Sequence, residues 1–224
     1  IHPEVGKATV KILEAAGYEV EITNRKCCGR TMISKGLLDD AKKNVNYNTK
    51  LLYDYVEKGI KIIGVEASCV SAMQDEFPDL ADEKEKAKKI SENTFTVQDL
   101  LIQIQDDGNQ QINWNSLDKD LLLFVHCHER ALNGTNNSLG SLNLPNKFNA
   151  KLIDAGCCGM AGSFGMEKEH YEISKKMAED RLLPSIENSK ENQEIIVTGI
   201  SCHDQIKDLS HKKPKYLVEV LAEA

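Results

Sequence analysis

Apolar residues near the start of the chain recur at Val5, Ala8, Ile12 and Ala15 or Ala16, the spacing of one helix face. Pro3 suits a first helical turn and Gly17 the position just past an end, so the pattern predicts a helix over residues 3–16. Residues 18–22 alternate as a strand, and residues 25–30 follow as a loop. Residues 36–55 are helical in period, with Leu37, Ala41, Val45 and Leu52 among the apolar positions, and Gly59 closes the segment. The β-branched run 60–65 reads as a buried parallel strand. Pro78 breaks the segment after it, 82–92 reads as a solvated charged helix, and 97–104 as an amphipathic one. Residues 105–116 are polar and read as a boundary. The pattern then restarts with a strand at 121–125. A short helix begins at 130–132, and 133–149 is mostly loop. A strand at 151–153, a helix at 167–186 with Pro184 near its end, a strand at 195–197 and a helix at 215–222 complete the chain.

The two halves repeat one another. Each runs strand, Cys-Cys-Gly, helix, β-branched strand and Ser-Cys. Cys69 lies 41 positions after Cys28, and Cys202 lies 44 after Cys158. Cys127 precedes Cys157 by 30 positions, and the equivalent place in the first half falls before Ile1. Such repetition is an architectural signal. The expected fold is α/β, with two tandem Rossmann-like parallel-sheet domains, 1–110 and 111–224, related by internal duplication. The first lacks its leading strand. In such sheets sites form at the carboxyl ends of the strands, where all seven cysteines are expected to lie.

Charge and length change the picture little. The 224 residues carry 35 acids and 28 bases, a net charge of −7, and no basic stripe that would suit a nucleic acid. No apolar run approaches the roughly 20 residues of a membrane helix, and no secretory leader is visible. The chain opens on Ile1 almost directly in a helix pattern, and is expected to be a piece of a longer protein in the cytoplasm, peripheral at the inner membrane face.

The cysteines change it more. Cys27, Cys28, Cys69, Cys127, Cys157, Cys158 and Cys202 are odd in number and include two adjacent pairs that strain against bonding each other, so they point to metal or redox chemistry and not to a disulfide framework. Cys127, Cys157, Cys158 and Cys202 can supply the four thiolates of an iron–sulfur cluster or a structural zinc. The glycine-rich turn 159–165 can offer backbone N–H groups to such an anionic assembly. Cys27, Cys28 and Cys69 form a three-thiol set, with Arg25, Lys26 and Arg30 close in sequence to lower thiol pKa values and Glu66 as an oxygen donor. His126, His128 and His203 flank the cysteines and read as neighbours that pack on the site, and as ligands should zinc be bound. A third reading is a thiol-redox site without metal. No phosphate-binding loop or flavin motif is present.

The spacing Cys-x29-Cys-Cys-Gly-x42-Cys, with CCGMAGSFG and LLPSI in the second half, resembles the cysteine-rich CCG domain. The stretches HPEVGKATVKILEAAGYEV, CCGRTMISKGLLDDAK and SCHDQI are similar to the region of FAD-linked oxidases that carries two such domains after a ferredoxin-like segment. The resemblance extends to the B-type subunit of heterodisulfide reductase and to the iron–sulfur proteins of glycolate and lactate oxidation. It implies an electron-transfer module of a flavin-linked 2-hydroxy-acid dehydrogenase, with a 4Fe–4S cluster on the seven cysteines. It also implies partnership with a flavin-binding domain and a ferredoxin-like 4Fe–4S domain, neither of which is in this sequence. The chain alone is therefore not expected to oxidise a hydroxy acid. In the heterodisulfide reductase type the motif ends in Cys-x-x-Cys. Here Cys202-His203-Asp204-Gln205 and Cys69-Val70-Ser71-Ala72 lack the second cysteine, which argues against a noncubane cluster.

Overall fold

A computed structural model describes residues 2–108 and 112–224; the expected boundary between residues 110 and 111 lies outside the described residues. The chain forms two compact units, Glu21–Val97 and Ile1–Val20 with Gln98–Ala224. The units and the sequence halves are different divisions, because the opening helix belongs to the larger unit. The fold is α/β with parallel sheets.

The smaller unit holds α2 (Arg30–Ser34), α3 (Leu38–Glu57), β1 (Ile62–Gly64), α4 (Ala67–Ser71), a π-helical turn (Ala72–Glu76), α5 (Phe77–Leu80), α6 (Lys84–Glu92) and β2 (Thr94–Thr96). β1 and β2 pair in parallel, from Ile62 opposite Thr94 to Gly64 opposite Thr96. α3 buries Ala41, Val45, Asn48, Thr49, Leu52 and Val56, one continuous stripe at helical spacing. Val45, Leu52 and Val56 join Ala72, Met73, Phe77, Ala87 and Ile90 in a single core, which also contains Cys28.

Pro78 does not interrupt this unit as expected. It lies in the first turn of α5, where its missing N–H is not needed. The carbonyl four residues earlier, on Gln74, thereby loses its helical donor, and the Ser91 hydroxyl donates to it instead at 2.5 Å. The helical path 67–80 is thus continuous, with the π-turn ahead of the proline.

The larger unit contains α1 (Pro3–Ala15), α7 (Val97–Asp107), β3 (Lys119–Phe124), α8 (Cys127–Leu132), α9 (Asn136–Leu142), β4 (Phe148–Leu152), α10 (Tyr171–Asp180), α11 (Leu182–Glu187), β5 (Gln193–Val197), α12 (Ile200–Leu209), β6 (Lys215–Tyr216) and α13 (Leu217–Glu223). Its sheet has the order β4-β3-β5-β6, all parallel. Leu121, Leu123, Phe124, Ile195, Ile196 and Val197 are buried, as an internal parallel strand requires. α1 packs on α13, with Val5, Ile12 and Leu13 buried on one and Leu217, Val218, Val220 and Leu221 on the other. Among the described residues no helix is long and apolar enough to cross a membrane.

Several expectations are corrected. Residues 18–22 form no strand: alternation needs a neighbouring strand, none pairs with them, and Ile22 is 85% exposed. The stretch 133–149 is not mostly loop, since it contains α9 and the start of β4. Its helix is hard to read because Ser138 and Ser141, not large apolar residues, fill the buried positions beside Leu142. α8 begins at Cys127 and not at residue 130. The single helix expected over 167–186 is two, broken at Arg181 (φ −138°, ψ −31°) so that Pro184 falls in the first turn of α11. Lys215 and Tyr216 form a short strand before the last helix.

Replacing Ser91 by alanine removes one hydrogen bond to the Gln74 carbonyl and is expected to cost about 1 kcal/mol. Urea unfolding should show an earlier midpoint with little change in slope; an unchanged midpoint would mean that water satisfies the carbonyl equally well.

Candidate functional site

The larger site follows from the strand order. β3 lies between β4 and β5, and all three run the same way, so their carboxyl ends stand side by side. Cys127 follows β3, Cys157 and Cys158 follow β4, and Cys202 sits in the first turn of α12 after β5. The four sulfurs make a chain of contacts. Cys127 is hydrogen-bonded to Cys157, Cys157 to Cys158, and Cys158 to Cys202. Cys158 and Cys202 are buried, while Cys127 and Cys157 are half-buried. Cys157 also lines an open depression of about 390 Å³, with Gly156, Ile173, Lys176, Met177 and Asp180.

These contacts partition the charge. Hydrogen bonds from Cys127 and then Cys158, together with the Gly159 N–H at 3.4 Å, pull the Cys157 thiol far below its usual range against a burial cost. Cys127 and Cys158 are driven the other way, each first by its contact with Cys157 and then by further neighbours and burial. One thiolate is therefore stabilised by protons kept on its neighbours. Four thiolates at this spacing need a cation to offset their repulsion, which fits a metal centre.

The turn at the pair has no freedom. Gly159 has φ +93°, and a Cβ there would overlap the Ser174 carbonyl of α10. The buried Gln205 amide locks this approach. Its Nε2 donates to the Cys158 carbonyl at 2.9 Å and to Ser174 Oγ at 2.9 Å. Arg130 grips the chain just ahead of the pair, Nη1 to the Ala155 carbonyl at 2.6 Å and Nη2 to that of Gly156 at 2.9 Å. Sequence reasoning misses Gln205 and Ser174, and it misses Arg130 as a clamp. A glutamine three residues after Ser-Cys is the available signal for the first of them.

The histidines do other work. His126 caps α8 by accepting the His128 N–H at Nδ1, 3.2 Å, and its Nε2 faces Ser201 Oγ at 3.2 Å. His203 Nδ1 pairs with Asp204 at 2.9 Å, and its ring stacks on Tyr216.

In the smaller unit Cys27, Cys28 and Cys69 also meet. Cys28 is hydrogen-bonded to Cys69 and to Cys27, and is held at about pKa 6, first by Cys69 and then, after a burial cost, by the Arg30 N–H and the Arg25 charge. Cys69 is pushed up by Cys28 and by burial, with Glu66 adding repulsion. Cys69 lies in α4 after β1, as expected, but Cys27 and Cys28 follow an irregular segment. Of the three basic residues near the pair, only Arg25 acts through its charge. The Arg30 guanidinium is ion-paired to Glu76, and Lys26 sits over the Tyr47 ring at 4.6 Å. Gly29 has φ +90°, and the buried Asn48 clamps the turn by donating to the Lys26 and Cys27 carbonyls at 3.1 and 3.3 Å. The helical pattern of residues 36–55 carries no sign of this role for Asn48.

A family of cysteine-rich domains, CCG, matches residues 2–74 and 121–207, stretches that contain all seven cysteines. The chain is 28% identical over its whole length to a subunit of the anaerobic glycerol-3-phosphate dehydrogenase of Escherichia coli K12, and spans 56% of that protein. It is 25% identical to D-2-hydroxyglutarate dehydrogenase of Pantoea ananatis, across 96% of this chain and 20% of the relative. It is 26% identical to lactate utilization protein A of Bacillus subtilis, across 88% and 81% respectively. With both cysteine sets inside the two matched stretches, the chain belongs to the CCG family of cysteine-rich domains.

Proposed function

We propose that this chain is the electron-transfer module of a flavin-linked 2-hydroxy-acid dehydrogenase, and that Cys127, Cys157, Cys158 and Cys202 hold an iron–sulfur cluster of 4Fe–4S type. The observation that carries this reading is the unbroken contact chain of four thiols at three adjacent strand ends. An iron–sulfur cluster supplies the acceptance and release of single electrons. The protein's part is to hold sulfur as thiolate, which Cys157 already favours, and to point the Gly159 N–H at that sulfur. Burial of Cys158 and Cys202 keeps water from the inner half of the site. Two of the relatives carry the names of 2-hydroxy acids, lactate and D-2-hydroxyglutarate, which supports that substrate class. The parts of the longer relatives beyond this chain leave room for the flavin-binding and ferredoxin-like domains.

Residues 1–110 and 111–224 are read as copies of one unit, the first shorter by its leading strand. In support, Gly29 and Gly159 share a left-handed conformation after a cysteine pair, and Cys69 and Cys202 both open a helix after a parallel strand. The smaller site supports a second reading of its own. Cys28 and Cys69 share a hydrogen bond inside the core, the arrangement of a metal-free couple in which two thiols give a disulfide, two protons and two electrons.

Anaerobic reconstitution of the protein should give near-stoichiometric iron and sulfide, a brown colour and a reducible paramagnetic signal. Cys158→Ser is expected to abolish most of that iron; full iron content in this variant would refute the ligand assignment. One zinc that is lost in Cys158→Ser, with no visible absorbance, would establish the zinc reading instead.

The two turn glycines should respond unequally to alanine. Gly29→Ala carries left-handed strain of roughly 1 kcal/mol, because its Cβ would meet Ala41 only at ordinary contact, 3.4 Å. Gly159→Ala adds overlap with a backbone carbonyl, so it is expected to cost at least about 3 kcal/mol and to lower cluster content. Equal melting temperatures for the two variants would contradict this packing.

A further inference from the structure

We propose that His2, His203 and Asp204 form a second, sulfur-free site for a divalent transition-metal ion. One ligand atom from each of the three lies within 4.8 Å of the others, and no other set of three histidine, cysteine or acidic ligand atoms among the described residues is so compact. His203 Nδ1 and Asp204 Oδ1 are 2.9 Å apart. A metal about 2.0–2.2 Å from each donor spans neighbouring ligands by roughly 2.9 Å at a right angle and about 3.4 Å in a tetrahedron. The pair therefore already has a ligand spacing, and the third residue offers a donor within 4.8 Å.

The surroundings hold the donors in place. His203 is buried, and its ring stacks on the buried Tyr216 at 5.1 Å with 16° between planes. The His2 ring stands edge-on to His203 at 4.8 Å and lies 5.4 Å from Tyr216. His203 and Asp204 come from the first half of α12, and His2 is the residue ahead of α1. His2 and Asp204 are half-buried, so an entering ion keeps open positions for water.

The site is chemically separate from the thiols. Cys202 adjoins His203 in sequence, but its sulfur is engaged with Cys158. Two imidazoles and a carboxylate without thiolate suit Zn²⁺, Co²⁺, Ni²⁺ or Fe²⁺. A bound ion joins the segment before α1 to α12 and raises the stability of the native state by mass action.

Co²⁺ is the probe that separates the two donor sets, because thiolate ligation gives an intense near-ultraviolet charge-transfer band and nitrogen–oxygen ligation does not. Equilibrium dialysis of the tag-free protein should find one Co²⁺ that lacks this band, with a higher melting temperature in its presence. Asp204→Asn keeps a hydrogen-bonding side chain beside His203. This variant and His2→Ala should each weaken that Co²⁺ by more than the roughly 10–100-fold typical of losing a supporting hydrogen bond, while Cys158→Ser leaves it bound. Unchanged stoichiometry in both Asp204→Asn and His2→Ala, or cobalt bound with the thiolate band alone, would overturn the site and leave the three residues as a packing contact only. Neither result depends on whether the thiols carry iron, so the two assignments fail independently.

Discussion

The parallel alignment of β4, β3 and β5 is the constraint on which the larger unit depends. Leu121 lies opposite Ala150 on one side and Glu194 on the other, so three strands advance in step and their loops leave from one edge. A parallel sheet cannot be closed by tight turns, and each strand must be followed by a crossover of a dozen or more residues. Those crossovers begin where the cysteines are. Convergence of residues 127, 157, 158 and 202 is thus a consequence of connectivity first and of side-chain chemistry second. An antiparallel arrangement of the same strands would send alternate loops to opposite ends and divide the sulfurs.

Convergence alone would create a problem, because like charges at hydrogen-bond distance repel. The contacts shift the thiols unequally, Cys157 downward and Cys127 and Cys158 upward, which disfavours simultaneous ionisation. This arrangement is stable only while the backbone of the turn keeps its place. Gly159 makes the approach to Ser174 possible, and Gln205 ties both sides of it through the Cys158 carbonyl and the Ser174 hydroxyl. Arg130 does the same for the Ala155 and Gly156 carbonyls with a charged fork.

Much of this is legible in the chain, and the failures have physical causes. The runs at 121–124 and 195–197 are readable because internal parallel strands are apolar on both faces, whereas the run at 62–64, expected to be buried, is a half-buried strand of a two-stranded sheet. The cysteine sets are readable because adjacent thiols on a glycine turn have few structural uses. The alternation at 18–22 misleads because a strand exists only with a partner, which sequence does not supply. The helix at 136–142 is hidden because it buries serines. Asn48, Arg130 and Gln205 do not stand out as supports because their work is to satisfy backbone carbonyls whose exposure depends on the fold already being formed.

The two cysteine sets differ in how much of the protein rests on them. Cys28 and Cys69 pack with Val45, Leu52 and Phe77, so they fill the core of a unit whose sheet has only two strands. Small sulfur-bearing side chains serve such a core whether or not they bind anything, and Asn48 separately holds the turn against α3. The four-thiol set lies at the carboxyl edge of a larger sheet whose core includes Leu121, Leu123, Ile195, Ile196 and Leu221, and Cys158 and Cys202 are buried as well. Cys157 is left half-open beside a depression. The two sets therefore differ in what surrounds their sulfurs: the larger ends at the half-buried Cys157 beside an open depression, while Cys28 of the smaller lies inside the core of its unit.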